Sequence, residues 1–382
     1  MNVSSAYILS ILLCITFRSY TQSTTNDSLR LEIRPYGSFR GHIAVYNSEL
    51  ELQQNASRVG FELSVSKRNL RYFAGSELSL NMFKADVVFN VDASVQGGFV
   101  DVESDQVNQI FGTRLGYLGV EFDRAGTITI GKQWSVYYDV TSYTDKFNVF
   151  GGQASATYVA NTDGGTTGTG RADQSITYRN QFGPLTVGAQ LQIRTAFNNS
   201  ILDGYGLSGQ LKVVEGLKVG AAYNRTIFND TLRANAIGLN DNPEYWTLGL
   251  SYVKNRWNIG VVFANQSNGD LRRIPIEDEL LAVIFEAQGV EAYAKYAFNQ
   301  ISVIGGYNRY SPKVTDLPLN ERFQTEYFVI GLEYHPVQQA YFYSEFRFHT
   351  ENNRDHLGLS DPDVFTLGLR IDLEQTFSKN IK

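Results

Sequence analysis

The chain has 382 residues, 33 of them basic and 39 acidic, for a formal net charge of −6. Its single cysteine, Cys14, excludes a disulfide-stapled scaffold and a cysteine-rich metal cluster, and the acidic balance gives no basic surface for nucleic acid. Charged residues make up 19% of the chain, below the roughly 25% of soluble domains, yet the mean hydropathy of −0.23 is too polar for a bundle of transmembrane helices. With 24 Phe, 23 Tyr and 34 Gly, the composition suits a protein that is apolar outside and wet inside.

In chain order, the first feature is a short apolar run from Ile8 to Ile15, too short to span a bilayer. It reads as an export signal ending near residue 22, although no positive charge precedes it and no small-residue cleavage site follows. Leu13 before Cys14 is larger than a lipoprotein signal tolerates.

From about Arg34 onward the pattern has period two. Val59, Phe61, Leu63 and Val65 alternate with small or charged residues, as do Trp246, Leu248, Leu250 and Tyr252, and Phe365, Leu367, Leu369, Ile371 and Leu373. One face of each strand is therefore apolar and the other is polar. About sixteen such strands are predicted. The first eight span 34–46, 57–67, 70–82, 109–122, 126–133, 172–181, 183–195 and 204–214. The second eight span 217–228, 244–254, 256–264, 286–297, 300–310, 326–335, 339–350 and 363–373. Tight turns such as Asp123–Ala125 alternate with long connections at about 83–108, 134–171, 229–243, 265–285, 311–325 and 351–362. Long loops on one rim and tight turns on the other describe a transmembrane antiparallel β-barrel, an all-β fold.

A soluble β-sandwich also alternates, but its polar face meets solvent and usually carries more charge. Here aromatics recur near strand ends on the apolar face: Trp246, Tyr252, Trp257, Tyr296, Tyr307, Tyr334 and Tyr341. Aromatic girdles at the membrane interfaces account for that placement. Arg58, Arg114, Arg194, Glu333, Glu345, Arg347, Arg370 and Asp372 fall on the opposite, inward parity. An outward Arg at the bilayer midplane would cost about 2–4 kcal/mol. A ring of about sixteen strands leaves an aqueous channel, and one domain over 34–373 is expected, with a short tail at 374–382.

The segment 134–171 is too long for a casual connection. It holds Trp134 and Tyr138-Asp139, then Tyr143-Thr144-Asp145, then Phe150-Gly151-Gly152, and ends in a Gly/Thr-rich stretch at 164–170. It is read either as an acidic loop folded inward against wall arginines or as a surface loop with a few carboxylates.

These pieces together resemble the general diffusion porins of Gram-negative outer membranes. Tyr36-Gly37, Ser57-Arg58-Val59-Gly60-Phe61, Thr113-Arg114-Leu115, Gly131-Lys132-Gln133, Phe150-Gly151-Gly152 and Gly170-Arg171 look like that family's segments in order and spacing. The resemblance implies a homotrimer of sixteen-stranded barrels in the outer-membrane lipid, each with its third loop folded into the pore. It places a positive constriction wall at Arg58, Arg114, Lys132 and Arg171, with Arg40 as a further match. It places the loop side at Asp145, with Asp139, Phe150, Gly151 and Gly152. Two positions where the family often has acids are Val149 and Gln153 here, so the neck is expected to be less cation-selective, with Asp139 and Asp173 as candidates to restore charge. The tail beyond Leu373 also departs from the family's aromatic C-terminus, although Phe377 keeps the outward parity.

The function so implied is passive diffusion of small hydrophilic solutes and ions, with no cofactor and no metal. His42, His335, His349 and His356 form no recognised ligand pair, and no nucleophile elbow or phosphate loop is present, so no enzyme is expected. The rival readings are a substrate-specific channel for sugars or oligosaccharides, and a structural or adhesive β-barrel.

Overall fold

A computed structural model describes residues 28–54, 56–83, 110–152, 154–155, 164–193, 202–228, 241–276, 279–313, 324–353 and 362–381. The export signal, Cys14, Gln153, Arg194, His356 and most of the long connections lie outside these residues. The strands are β1 (Leu29–Tyr46), β2 (Glu49–Gln54), β3 (Arg58–Lys67), β4 (Leu70–Leu80), β5 (Phe111–Phe122) and β6 (Gly126–Trp134). A four-residue helix, α1 (Tyr138–Thr141), follows. Then come β7 (Arg171–Phe182), β8 (Leu185–Gln192), β9 (Gly204–Val214), β10 (Leu217–Thr226), β11 (Glu244–Lys254) and β12 (Trp257–Ile276). The last are β13 (Glu279–Phe298), β14 (Ile301–Pro312), β15 (Gln324–Tyr334), β16 (Ala340–Asn353), β17 (Val364–Glu374) and β18 (Phe377–Ile381).

Among the described residues all pairings are antiparallel and most join chain neighbours, and β1 closes the ring on β17 in register from Tyr36↔Glu374 to Val45↔Phe365. Closure leaves the described strands without a free edge, so ladder bonds satisfy their backbone. The eighteen segments make sixteen barrel strands, because two are interrupted. β2 and β3 both pair with the same side of β1, separated by a bulge where Ala56 takes a φ of 50°. β17 and β18 share one unbroken register against β1, so the stretch expected as a tail continues the last strand. The break between them falls opposite Pro35, which accepts from Gln375 N–H but has no N–H to return.

The expected faces hold. Phe61, Leu118, Leu248, Ile330, Leu332 and Leu367 are exposed on the outer face, while Glu77, Arg114, Glu333, Glu345 and Arg347 are buried on the inner one. Outward aromatics meet across strands: Trp257 packs on Tyr296 at 4.6 Å and Tyr307 on Phe328 at 5.0 Å between ring centroids.

Two expectations are corrected. The stretch 265–285 is not a long loop, because β12 and β13 continue as a paired ribbon from Asp270↔Phe285 to Ile276↔Glu279. A bulge at Gln266/Asp270, where Asn268 has a φ of 52°, breaks the alternation that would have revealed it. Tyr341 is not on the outer girdle; it is 8% exposed, while Phe342 beside it is 51% exposed. Tyr341 shares parity with Glu345 and Arg347, and those charges fix which face of β16 turns inward.

Candidate functional site: the charged inner cavity

The segment after β6 packs against the inner face through two apolar clusters. Tyr137, Val140 and Tyr143, on and around α1, pack with Ala222, Tyr245 and Val262 of β10, β11 and β12. Gly260 leaves the space that the Tyr143 backbone occupies, and a Cβ there would collide with its carbonyl. Further along, Val149 and Phe150 pack with Tyr327, Val329, Tyr341 and Tyr343. Fully burying a side chain such as Phe150 stabilises the contact by about 1.5–3 kcal/mol.

Wall side chains hold the same segment by hydrogen bonds. Glu291 accepts from Thr144 Oγ1 at 2.5 Å and Ser155 N–H at 2.6 Å. Gly152 lies against that carboxylate, where a Cβ would come within 2.5 Å of its oxygens. Glu345 takes the N–H groups of residues 148–150, and Tyr327 Oη donates to Gly151 O at 2.8 Å. The Gly/Thr-rich end is clasped by β8 and β10. Gln192 Nε2 donates to Gly165 O at 2.8 Å, Gln190 Nε2 to Gly168 O at 3.0 Å, and Asn224 Nδ2 to Thr167 O at 2.7 Å.

Between the segment and the wall lies a cavity of about 610 Å³. Of the residues singled out for the neck, it brings together Arg40, Arg58, Arg114, Arg171, Asp145, Val149 and Gly151 as lining. Arg114 Nε donates to Glu77 Oε1 at 2.7 Å, and Arg58 approaches the other oxygen at 3.8 Å. On the loop side, Asp145 accepts from Tyr138 Oη at 2.6 Å, and Tyr138 stacks on Trp134 at 4.0 Å. The Arg171 guanidinium lies 5.8 Å from the Trp134 ring.

The other singled-out residues lie elsewhere. Lys132 pairs with Asp173 at 2.8 Å, so these two compensate each other. Asp139 takes a forked contact from Arg179, with Nε at 3.0 Å and Nη2 at 3.0 Å from its two oxygens, plus Ser208 Oγ at 3.2 Å. Burial pushes the Asp139 carboxyl above its ordinary range against the pull of Arg179. Burial, reinforced by Asp139, lifts the Tyr143 phenol to about 12. Phe150 lies buried with the Arg347 guanidinium 5.0 Å over its ring.

Several lining residues were not singled out for the neck: Glu77, Lys146, Lys295, Glu333 and Arg370. Glu333 is shared by Lys295, by His335 Nε2 at 2.9 Å and by Asn148 Nδ2 at 3.0 Å. Inward parity was readable for Glu333 and Arg370, but nothing local in the sequence says which inward charges reach one cavity. Burial, aided by Lys218, pulls the Lys146 ammonium below its usual range, while Asp145 opposes. Among the described residues no group of three His, Cys, Asp or Glu side chains could hold a metal.

Comparison with known proteins agrees with this architecture. A profile described as Gram-negative porin matches residues 35–355. Outer membrane porin F of Xenorhabdus nematophila is 27% identical over 278 residues, covering 67% of this chain and 73% of the relative. Outer membrane porin N of Escherichia coli K12 is 27% identical over 292 residues, covering 67% and 74%. Among solved structures, Salmonella typhi OmpF in complex with daunomycin superposes with a TM-score of 0.70 at 19% identity, over 92% of this chain and 100% of that one, which establishes the shared fold. The closed barrel, its charged inner cavity and the profile match over most of the chain agree: the protein belongs to the Gram-negative porin family.

Proposed function

We propose that the protein forms a water-filled channel in the outer membrane, through which small hydrophilic solutes and ions diffuse passively. The observation that carries this reading is a closed ring with apolar side chains outside and a charged cavity inside. Water and ions cross where the inner face supplies polar contacts, and weak contacts at most are needed for throughput. The segment 135–152 narrows the passage by packing on the inner face, which is supported by Arg40, Arg58, Arg114, Arg171 and Asp145 lining one cavity. The unit is a homotrimer embedded in outer-membrane lipid, in keeping with the family, and it acts without a cofactor, a metal, a nucleic-acid partner or catalysis.

Liposome swelling with sugars of graded size tests this. Entry should fall steadily with solute size and show no saturation. A failure of all solutes to enter would refute the channel. Trp134, Tyr138, Phe147, Tyr293 and Tyr341 also line the cavity, which supports a second reading, a channel selective for sugars or oligosaccharides. Saturable entry would favour that reading. Cross-linking in the membrane should trap a species of three chains.

A further inference from the structure

Two arginines stand directly opposite each other on the inner wall. In the β1–β17 ladder, Arg40 is the register partner of Arg370, and both line the cavity. Like charges in that position oppose each other and weaken a sheet. The compensation for this pairing is small. Arg370 Nε reaches Asp372 at 2.8 Å and 3.0 Å, and Asp372 accepts from Ser38 Oγ at 2.6 Å. Arg40 Nε donates to Ser38 Oγ at 2.9 Å, its only side-chain hydrogen bond among the described residues. Arg40 is 7% exposed, so its terminal nitrogens are withdrawn from bulk water and border the cavity. A guanidinium carries five N–H donors, and here most of them have no protein acceptor. Arg58 stands one ladder step away, opposite Ser38.

The cavity as a whole has the same sign. Eight basic side chains and three acidic ones line it among the described residues. Several of the basic ones already share an acid: Arg58 and Arg114 meet on Glu77, and Lys295 takes Glu333. A narrow zone with low-dielectric walls and a surplus of one sign raises the local concentration of the opposite ion.

We propose that the Arg40–Arg370 pair is an oxyanion-binding station in the channel wall, and that the protein favours small anions bearing a phosphate or carboxylate group. This rests on the channel reading above and names its preferred solutes. Two planar forks on adjacent strands match the geometry of such a group, which each guanidinium can grip through two N–H donors. Asp372 holds one fork in place from behind, and the Tyr341 ring, 5.7 Å from the Arg370 guanidinium, supports its face. The solute dwells there briefly and moves on, because the station is one of several positive groups along the wall.

Planar-bilayer recording of the purified protein tests this with inorganic phosphate as the probe. In a KCl gradient the reversal potential should have the sign of chloride permeation. Millimolar phosphate should then reduce the chloride current in a saturable way. Arg40→Gln and Arg370→Gln should each weaken that block at least tenfold. Arg370→Lys keeps the charge beside Asp372 and should keep chloride preference, while losing most of the phosphate block because the planar fork is gone. A potassium-selective reversal potential in the parent protein would overturn the proposal without touching the channel reading. So would a phosphate block that is unchanged in Arg370→Lys. The absence of any current would overturn both.

Discussion

The carboxylate of Glu345, on β16, accepts the backbone N–H of Val149 at 3.0 Å, across 196 positions of sequence. Asn148 N–H at 2.6 Å and Phe150 N–H at 3.4 Å converge on the same group. Three successive backbone donors thus meet one wall carboxylate at the point where the inner segment turns. Val149 is thus held twice, by its backbone N–H on Glu345 and by its side chain in the cluster with Tyr327 and Val329.

Replacing Glu345 by Gln leaves a single acceptor and turns two donors toward the same N–H groups. Anchoring should weaken by on the order of 2 kcal/mol, the scale of hydrogen bonds to a charged group. Single-channel records should become noisier and proteolytic cleavage within 145–155 should accelerate. Quiet currents with cleavage at the parent rate would contradict the anchoring role.

Gly305 and Gly306 are neighbours with opposite expectations. A Cβ on Gly305 meets nothing within 4 Å, whereas one on Gly306 collides with the Phe147 ring. Gly306→Ala should destabilise the barrel by about 1–3 kcal/mol through overpacking, and Gly305→Ala should be near neutral. Thermal unfolding followed by the shift in gel migration checks this. Equal midpoints for the two variants would count against the described packing of Phe147.

Glu77 is the acid shared by Arg114 and Arg58. Glu77→Gln removes the one negative charge between them and should shift the reversal potential further toward anions. Arg58→Ala combined with Arg114→Ala leaves Glu77 uncompensated and should raise conductance and shift selectivity toward cations. Identical reversal potentials in all three proteins would remove these residues from the conduction path.

Lys146 lines the cavity, and burial pulls its ammonium below the usual lysine value of 10.5. As pH rises toward that value, Lys146 gives up its proton earlier than an exposed lysine, and one positive charge leaves the neck. Anion permeability should therefore fall on the alkaline side. Lys146→Arg keeps its charge throughout and should flatten the profile. A profile that is the same in parent and variant would assign the titration elsewhere.

The barrel was legible because its rule is short-ranged. Val59-Gly60-Phe61-Glu62-Leu63 declares two faces within five residues, and the structure turns those faces outward and inward as expected. Legibility failed where the period was interrupted, as at the bulge that hid the β12–β13 ribbon. It failed for Tyr341 because an aromatic near a strand end suits a girdle and a lumen wall alike, and only its shared parity with Glu345 and Arg347 decides between them. Within the site, Arg58, Arg114, Arg171 and Asp145 could be named from local motifs. The partnership of Arg114 with Glu77 could not, because their side chains meet only once β4 and β5 pair through a register shift at Glu77/Leu78. Lys132 and Asp139 show the converse, since each sits in a recognisable motif yet is taken up by an ion pair with Asp173 or Arg179.

The closed barrel is a conduit through its charged interior. Single-channel recording in planar bilayers tests it most directly. Stepwise currents should grow in proportion to salt concentration, appear in groups of three and reverse at a potential set by the wall charges. A membrane that stays silent with folded, inserted protein would contradict it.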